Sequence, residues 1–358
     1  MIRQTQSNWL RKQPIMRKVL LALVPCVLGG WYYFGIQTLA LTLFCCLWGF
    51  FLEWLFCRKR GEPVSEAVFV TAVLFALTMP AGVGWHVAAV GMAFAVIFSK
   101  EVFGGFGRNF FNPALAGRCF VYICFPIAMT GVWQPPAEGP WGSLTRWSSA
   151  ADEDGSIAVT SATPMAHKKA GRIQFGSWTE PALPASLPFQ IDPAGGQIIV
   201  SKWTMMKGLL FGRIGGTMGA TSAVLITLGG IYLFVTGTAS RTIILSVIGS
   251  YAVFNQIFYW FGVAPVPGAW PAVLGGGFLL GAFFMSTDPV SSPRTEPARI
   301  IYGILIGLAS LVIRNFSIFN GGLMFAILLG NMFTPILDVA VKAWQQRGKT
   351  TVDGRAKA

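Results

Sequence analysis

The sequence predicts an all-α polytopic membrane protein: about ten transmembrane helices in a 5+5 inverted repeat, with one irregular extracytoplasmic loop. Three observations lead there. Of 358 residues, 54% are apolar and 11% are charged, against roughly 25% charged in a soluble domain. Charge this sparse cannot coat a soluble globule of that length. The apolar residues fall in long runs rather than amphipathic stripes, and about 20 such residues span a bilayer core. The basic residues sit in short clusters between those runs, the pattern that fixes topology. The net charge of +13 therefore speaks for membrane orientation. It does not speak for nucleic acid, since no aromatic and basic reading surface stands outside the spans.

In chain order, residues 1–16 form a polar, basic N-terminal segment, and the first apolar run is too long for the core of a cleavable signal. Spans 1–5 lie within 17–132, at 17–36, 38–57, 64–80, 83–99 and 112–132. The third and ninth are short enough to be part-spans. Only Met79–Pro80–Ala81–Gly82 separates the third from the fourth, which predicts a tight hairpin. Residues 133–211 form a loop rich in Pro, Trp and Ser, too poor in apolar residues for more than a small cap. Spans 6–10 lie within 212–341, at 212–235, 242–261, 268–286, 299–315 and 319–341, and 342–358 is a basic tail.

Ten spans place both termini on one side. The clusters at Arg11–Arg17, Arg58–Arg60, Lys100–Arg108, Arg241, Arg294–Arg299 and the tail then share one face, which is cytoplasmic by the positive-inside rule. In a bacterial inner (plasma) membrane the 133–211 loop would face outward. Five spans on each side of that loop force opposite orientations on the two halves, the inverted-repeat arrangement of many transporters. Cys26, Cys45, Cys46, Cys57, Cys119 and Cys124 lie in or beside apolar runs and form no CxxC pair. They read as small apolar filler rather than as a metal site of this chain.

Three segments can carry chemistry. In Thr160-Ser161-Ala162-Thr163-Pro164 a threonine precedes proline and is held extended, which suits modification of its hydroxyl. An ordinary Ser/Thr-rich turn reads the same way. In Gly104-Gly105-Phe106-Gly107-Arg108-Asn109-Phe110-Phe111-Asn112-Pro113, glycines permit left-handed turns and Pro113 suits a helix start. Asn109 and Asn112 share a face if that stretch is helical. Among the acids near the membrane, Glu53, Asp288 and Asp338 are candidates because an ionisable group in a span is costly. A turn cap at Asp288 and simple ion pairs at Glu53 and Asp338 are the structural alternatives.

Six ordered stretches extend these signals: FVTAVLFALTMPAGV (69–83), KEVFGGFGRNFFNPALAGR (100–118), SATP (161–164), FFMSTDPVS (283–291), ILIGLASLVIR (304–314) and MFAILLGNMFTPILD (324–338). On these the chain resembles, over roughly 38–345, the family that holds the B subunit of the sodium-translocating NADH:quinone reductase and the D subunit of the Rnf electron-transport complex. The resemblance implies FMN bound covalently through a phosphoester to Thr163, attached by a flavin transferase, although Ser161 stands where the family usually has Gly. Lys168 and Lys169 could pair with that phosphate or form a solvated basic patch. Asn109 and Asn112 fall where the family holds a second, non-covalent flavin such as riboflavin. Gly49 falls near its quinone site. Glu53, Asp288 and Asp338 match positions tied to ion coupling. Ala220 and Gly321 replace family acids, which weakens the case for sodium pumping.

The implied function is a membrane subunit of a flavin-dependent electron-transport complex, with other subunits as partners and no catalysis alone. The competing class is a transporter or channel without a redox role. No NAD-binding motif is present in the sequence.

Overall fold

The computed structural model describes residues 9–131, 133–137, 141–148, 173–175, 198–200, 202–212, 215–275, 277–317 and 321–356. Thr163, Lys168 and Lys169 lie outside the described residues.

Two helices open the chain. α1 (Pro14–Phe34) begins on Pro14, whose missing N–H costs nothing in a first turn. Gly35, at φ 90°, turns the chain directly into α2 (Ile36–Arg60). Gly61 in the left-handed region ends α2 behind Arg58, Lys59 and Arg60, where cations suit a helix C-terminus. A two-residue strand β1 (Leu10–Arg11) pairs in parallel with β2 (Val64–Ser65) and ties the N-terminal segment to this turn. α3 (Ala67–Leu77) has 11 residues, short of a full span. A short turn joins α3 to α4, the Val83 amide donating to the Pro80 carbonyl at 3.2 Å; Pro80 is bridged to Thr217, and the Met218 and Gly219 amides donate to the Met79 and Leu77 carbonyls. α4 (Trp85–Val96) continues into a π-helical turn, Ile97–Glu101. α5 (Pro113–Cys124) and the short α6 (Pro126–Thr130) divide the predicted fifth span at Pro126.

In the 133–211 region, β3 (Ile173–Phe175) and β4 (Ile198–Val200) pair in parallel and α7 (Lys202–Phe211) follows. α8 (Ala223–Val235) starts at its Ser222 cap. α9 (Arg241–Trp260) is capped by Ser240. The predicted eighth span is broken into α10 (Ala269–Leu274), α11 (Phe278–Leu280) and a second π turn, Gly281–Met285. The predicted ninth span is no part-span. α12 (Glu296–Phe316) runs 21 residues because Glu296-Pro297 extends its first turn. α13 (Gly322–Ala356) carries through the predicted tail.

Among the described residues, Pro14–Phe34, Ile36–Arg60, Arg241–Trp260, Glu296–Phe316 and Gly322–Gln346 are long and apolar enough to cross a membrane. Small residues let them approach. In α12, Gly303 and Gly307 face Ser246 and Ser250 of α9 so closely that an added methyl would overlap each serine hydroxyl. The Ser250 hydroxyl donates to the Gly303 carbonyl at 3.1 Å. This is small-xxx-small packing, the contact that serves where lipid removes the hydrophobic drive between helices.

The contacts of the two halves correspond. α2 packs on α4 as α9 packs on α12, and α4 packs on α5 as α12 packs on α13. α1 meets α8 across the middle, where Gly229 lies against the Ala22 carbonyl.

Candidate functional site

The starts of α1 and α3 and the segments that precede α5, α9 and α12 meet at one end of the bundle and enclose a groove. Its walls include Ile15, Thr71, Phe106, Asn109, Asn112, Thr238, Phe284 and Asp288, around a space of about 70 Å³. Three of the predicted site residues, Asn109, Asn112 and Asp288, are therefore neighbours around one space although they are separated in sequence.

Gly104, Gly105 and Gly107 form the loop that makes this possible. All three take positive φ, at 100°, 94° and 88°, a region that strains other residues. The loop turns back so that Asn112 caps α5, its side-chain oxygen accepting from the Leu115 amide at 3.3 Å. The Asn112 amide also donates to the Met285 carbonyl in the second π turn at 3.2 Å. One side chain thus links a first-half helix start to a second-half helix end. Asn109 donates to the Phe111 carbonyl at 3.1 Å and holds the loop in shape.

Asp288 is half-buried beside Thr287 and Pro289. Its carboxylate accepts from the Val290 amide at 3.2 Å and the Ser291 hydroxyl at 2.8 Å. Burial nevertheless dominates and raises its pKa above the ordinary 3.8. Asp338, by contrast, ties α13 to the loop before α12. It accepts from the Arg294 and Thr295 amides and from the Thr295 hydroxyl at 2.9 Å.

Glu53 lies beneath the groove. Its carboxylate takes Lys100 Nζ at 2.5 Å, the Ser65 hydroxyl at 2.7 Å and the Ser65 amide at 3.0 Å. Lys100 also donates to Ser65 Oγ at 2.8 Å, and both charges are almost wholly buried. A second pair, Arg60 and Glu101, closes at 2.5 Å next to it. Gly49 sits inside the bundle, where α2 meets Met92 of α4 and Val68 of α3. It is a close-packing position there.

Sequence reading missed the partners. It took Lys100 for a topology-setting surface cation, yet the structure buries it on Glu53. A lone acid in one span and a lone cation at the end of another was the available signal. Arg118, on α5, lines a cavity inside the bundle. The α12 arginine, Arg314, is buried and donates to the Tyr251 hydroxyl and the Ala272 and Gly275 carbonyls.

The groove presents groups suited to the faces and edge of a flat aromatic ring. It offers two phenylalanine rings for stacking, amide groups for a polar edge and one carboxyl of raised pKa.

The chain is 35% identical over 320 residues to the B subunit of the Na(+)-translocating NADH-quinone reductase of Chromohalobacter salexigens, covering 87% of this chain and 66% of that protein. With the corresponding protein of Pseudoalteromonas atlantica it shares 36% over 299 residues, 82% of this chain and 64% of the relative. With that of Haemophilus influenzae it shares 32% over 334 residues, 91% and 71%. The chain spans about two thirds of the length of such relatives. The model of the NQR2, RnfD, RnfE family matches residues 6–346. A chain matched over nearly its whole length, with membrane-length helices joined as described, is a membrane protein that belongs to the NQR2, RnfD, RnfE family.

Proposed function

We propose that this chain is the flavin-bearing membrane subunit of an electron-transport complex of the NADH:quinone reductase or Rnf type, in a bacterial inner membrane with both termini cytoplasmic. The observation that carries the reading is the groove, which gathers Asn109, Asn112 and Asp288 from two distant stretches of chain. In this reading FMN is attached at Thr163 by a flavin transferase, with Lys168 and Lys169 near its phosphate, and a second, non-covalent flavin such as riboflavin lies in the groove. The flavins would supply one- and two-electron chemistry, while the protein supplies position and electrostatics. Phe106 and Phe284 stack on the ring, and Asn112 keeps the groove walls in register through Met285.

The two ends of α1 support two separate stations. Its first turn borders the groove, whereas at its far end Trp31 donates to the Leu144 carbonyl and the Ile36 amide to the Arg146 carbonyl. The 141–148 segment is thus fixed at the end remote from the groove. Electrons would pass between the FMN on that outer side and the groove on the inner side. Donor, quinone and the remaining subunits lie outside this chain. Ion coupling through Glu53, Asp288 or Asp338 is part of the proposal only where their carboxylates can be released from the bonds described. The matched contacts of the two halves support the 5+5 inverted repeat.

Denaturing gels under ultraviolet light and mass analysis of the loop peptide test the covalent site. The wild type should fluoresce and carry one FMN phosphoester at Thr163, and Thr163→Ala should lose the band while keeping a non-covalent flavin absorbance. A bare peptide from cells with an active flavin transferase would sink the reading.

A further inference from the structure

A second cavity lies deeper in the bundle, between α5, the α10–α11 break, α12 and the start of α13. It has a volume of about 40 Å³, room for a few water-sized atoms. Two arginines line it, Arg118 and Arg314, together with Thr78, Thr217, Ala220 and Gly321, and no Asp or Glu lines it among the described residues. Arg118 Nε is buried with no hydrogen-bond partner among the described residues. Arg314 donates to the Tyr251 hydroxyl and to the Ala272 and Gly275 carbonyls. A guanidinium nitrogen such as Arg118 Nε, buried without a partner, is costly in a low-dielectric interior. The start of α13 lies on the same cavity: a methyl built on Gly321 would stand 3.7 Å from Arg118 Nη2. The positive end of a long helix adds to the same potential.

We propose that this cavity binds a small inorganic monovalent anion of halide type, with Arg118 as the principal ligand. The Arg118 guanidinium, the Thr217 hydroxyl and a helix N-terminus make the donor set, with Arg314 adding positive charge, and the volume excludes a nucleotide or a lipid headgroup. The anion neutralises charge between the two halves, since Thr78 and Arg118 come from the first and Thr217 and Arg314 from the second.

Thermal unfolding of the full chain in detergent tests this, with sodium gluconate replaced by sodium chloride or bromide at constant ionic strength. Tm should rise saturably, by about 2–4 °C, with either halide. Arg118→Gln should remove the rise. Gly321→Asp places a carboxylate against Arg118 in place of the ion. It should abolish the halide response and lift Tm in gluconate toward the halide-saturated wild type. If Arg118→Gln does not fold, Gly321→Asp decides alone. A wild-type Tm indifferent to the anion, or an undiminished halide response in Gly321→Asp, would overturn the proposal.

Discussion

At the residue scale the buried Lys100–Glu53 pair sets the largest stakes. Removing one charge strands the other among apolar neighbours, a loss of about 3–5 kcal/mol for such pairs. Lys100→Met should therefore lower Tm sharply, and the double variant with Glu53→Leu should recover most of the loss. A double variant no better than the single would show that the pair is not coupled. Asp288 behaves oppositely. Its folded pKa lies above 3.8, so the carboxyl's contribution is fully present below that value and is lost as pH rises through the raised one. Asp288→Asn should thus gain stability over the wild type from about pH 4 upward, with no gain in more acid buffer, as read from Tm against pH. An advantage constant with pH would remove burial as the cause. The acids were legible as costly groups, yet their partners were not, because spacing along a chain says nothing of which helices meet.

At the scale of elements, α9 and α12 depend on four small residues. Gly303→Leu would drive a branched side chain into Ser246, where overpacking costs typically about 1–3 kcal/mol. Tm in detergent should fall accordingly, and an unchanged Tm would mean the contact is looser than described. The long helices were legible from their apolar runs: α1, α2, α9 and α12 sit within a few residues of the predicted spans, and α13 starts with its span but runs on through the tail. The broken ones were less so. Hydropathy reads 268–286 as one apolar run, while Gly275 and Gly277 divide it, because glycine's freedom leaves no mark on a hydropathy profile. In α5, Phe125-Pro126 ends a helix that apolarity alone would continue.

At the scale of the molecule, the groove and the deeper cavity both take walls from each half. That convergence was only partly readable. The motifs around Asn112 and Asp288 stood out as glycine- and proline-rich punctuation, but a one-dimensional reading cannot bring residue 112 to residue 285. The Asn112–Met285 bond does so in the folded chain.

The turn after α3 has its own consequence. Its Leu77 and Met79 carbonyls are met by amides of residues 218 and 219, and hydrocarbon offers no substitute partner. Neither half can complete its main chain by itself. A polypeptide cut between residues 176 and 197 should yield pieces that co-purify when made together and are degraded when made apart, much as two torn edges of a page can be read only when joined.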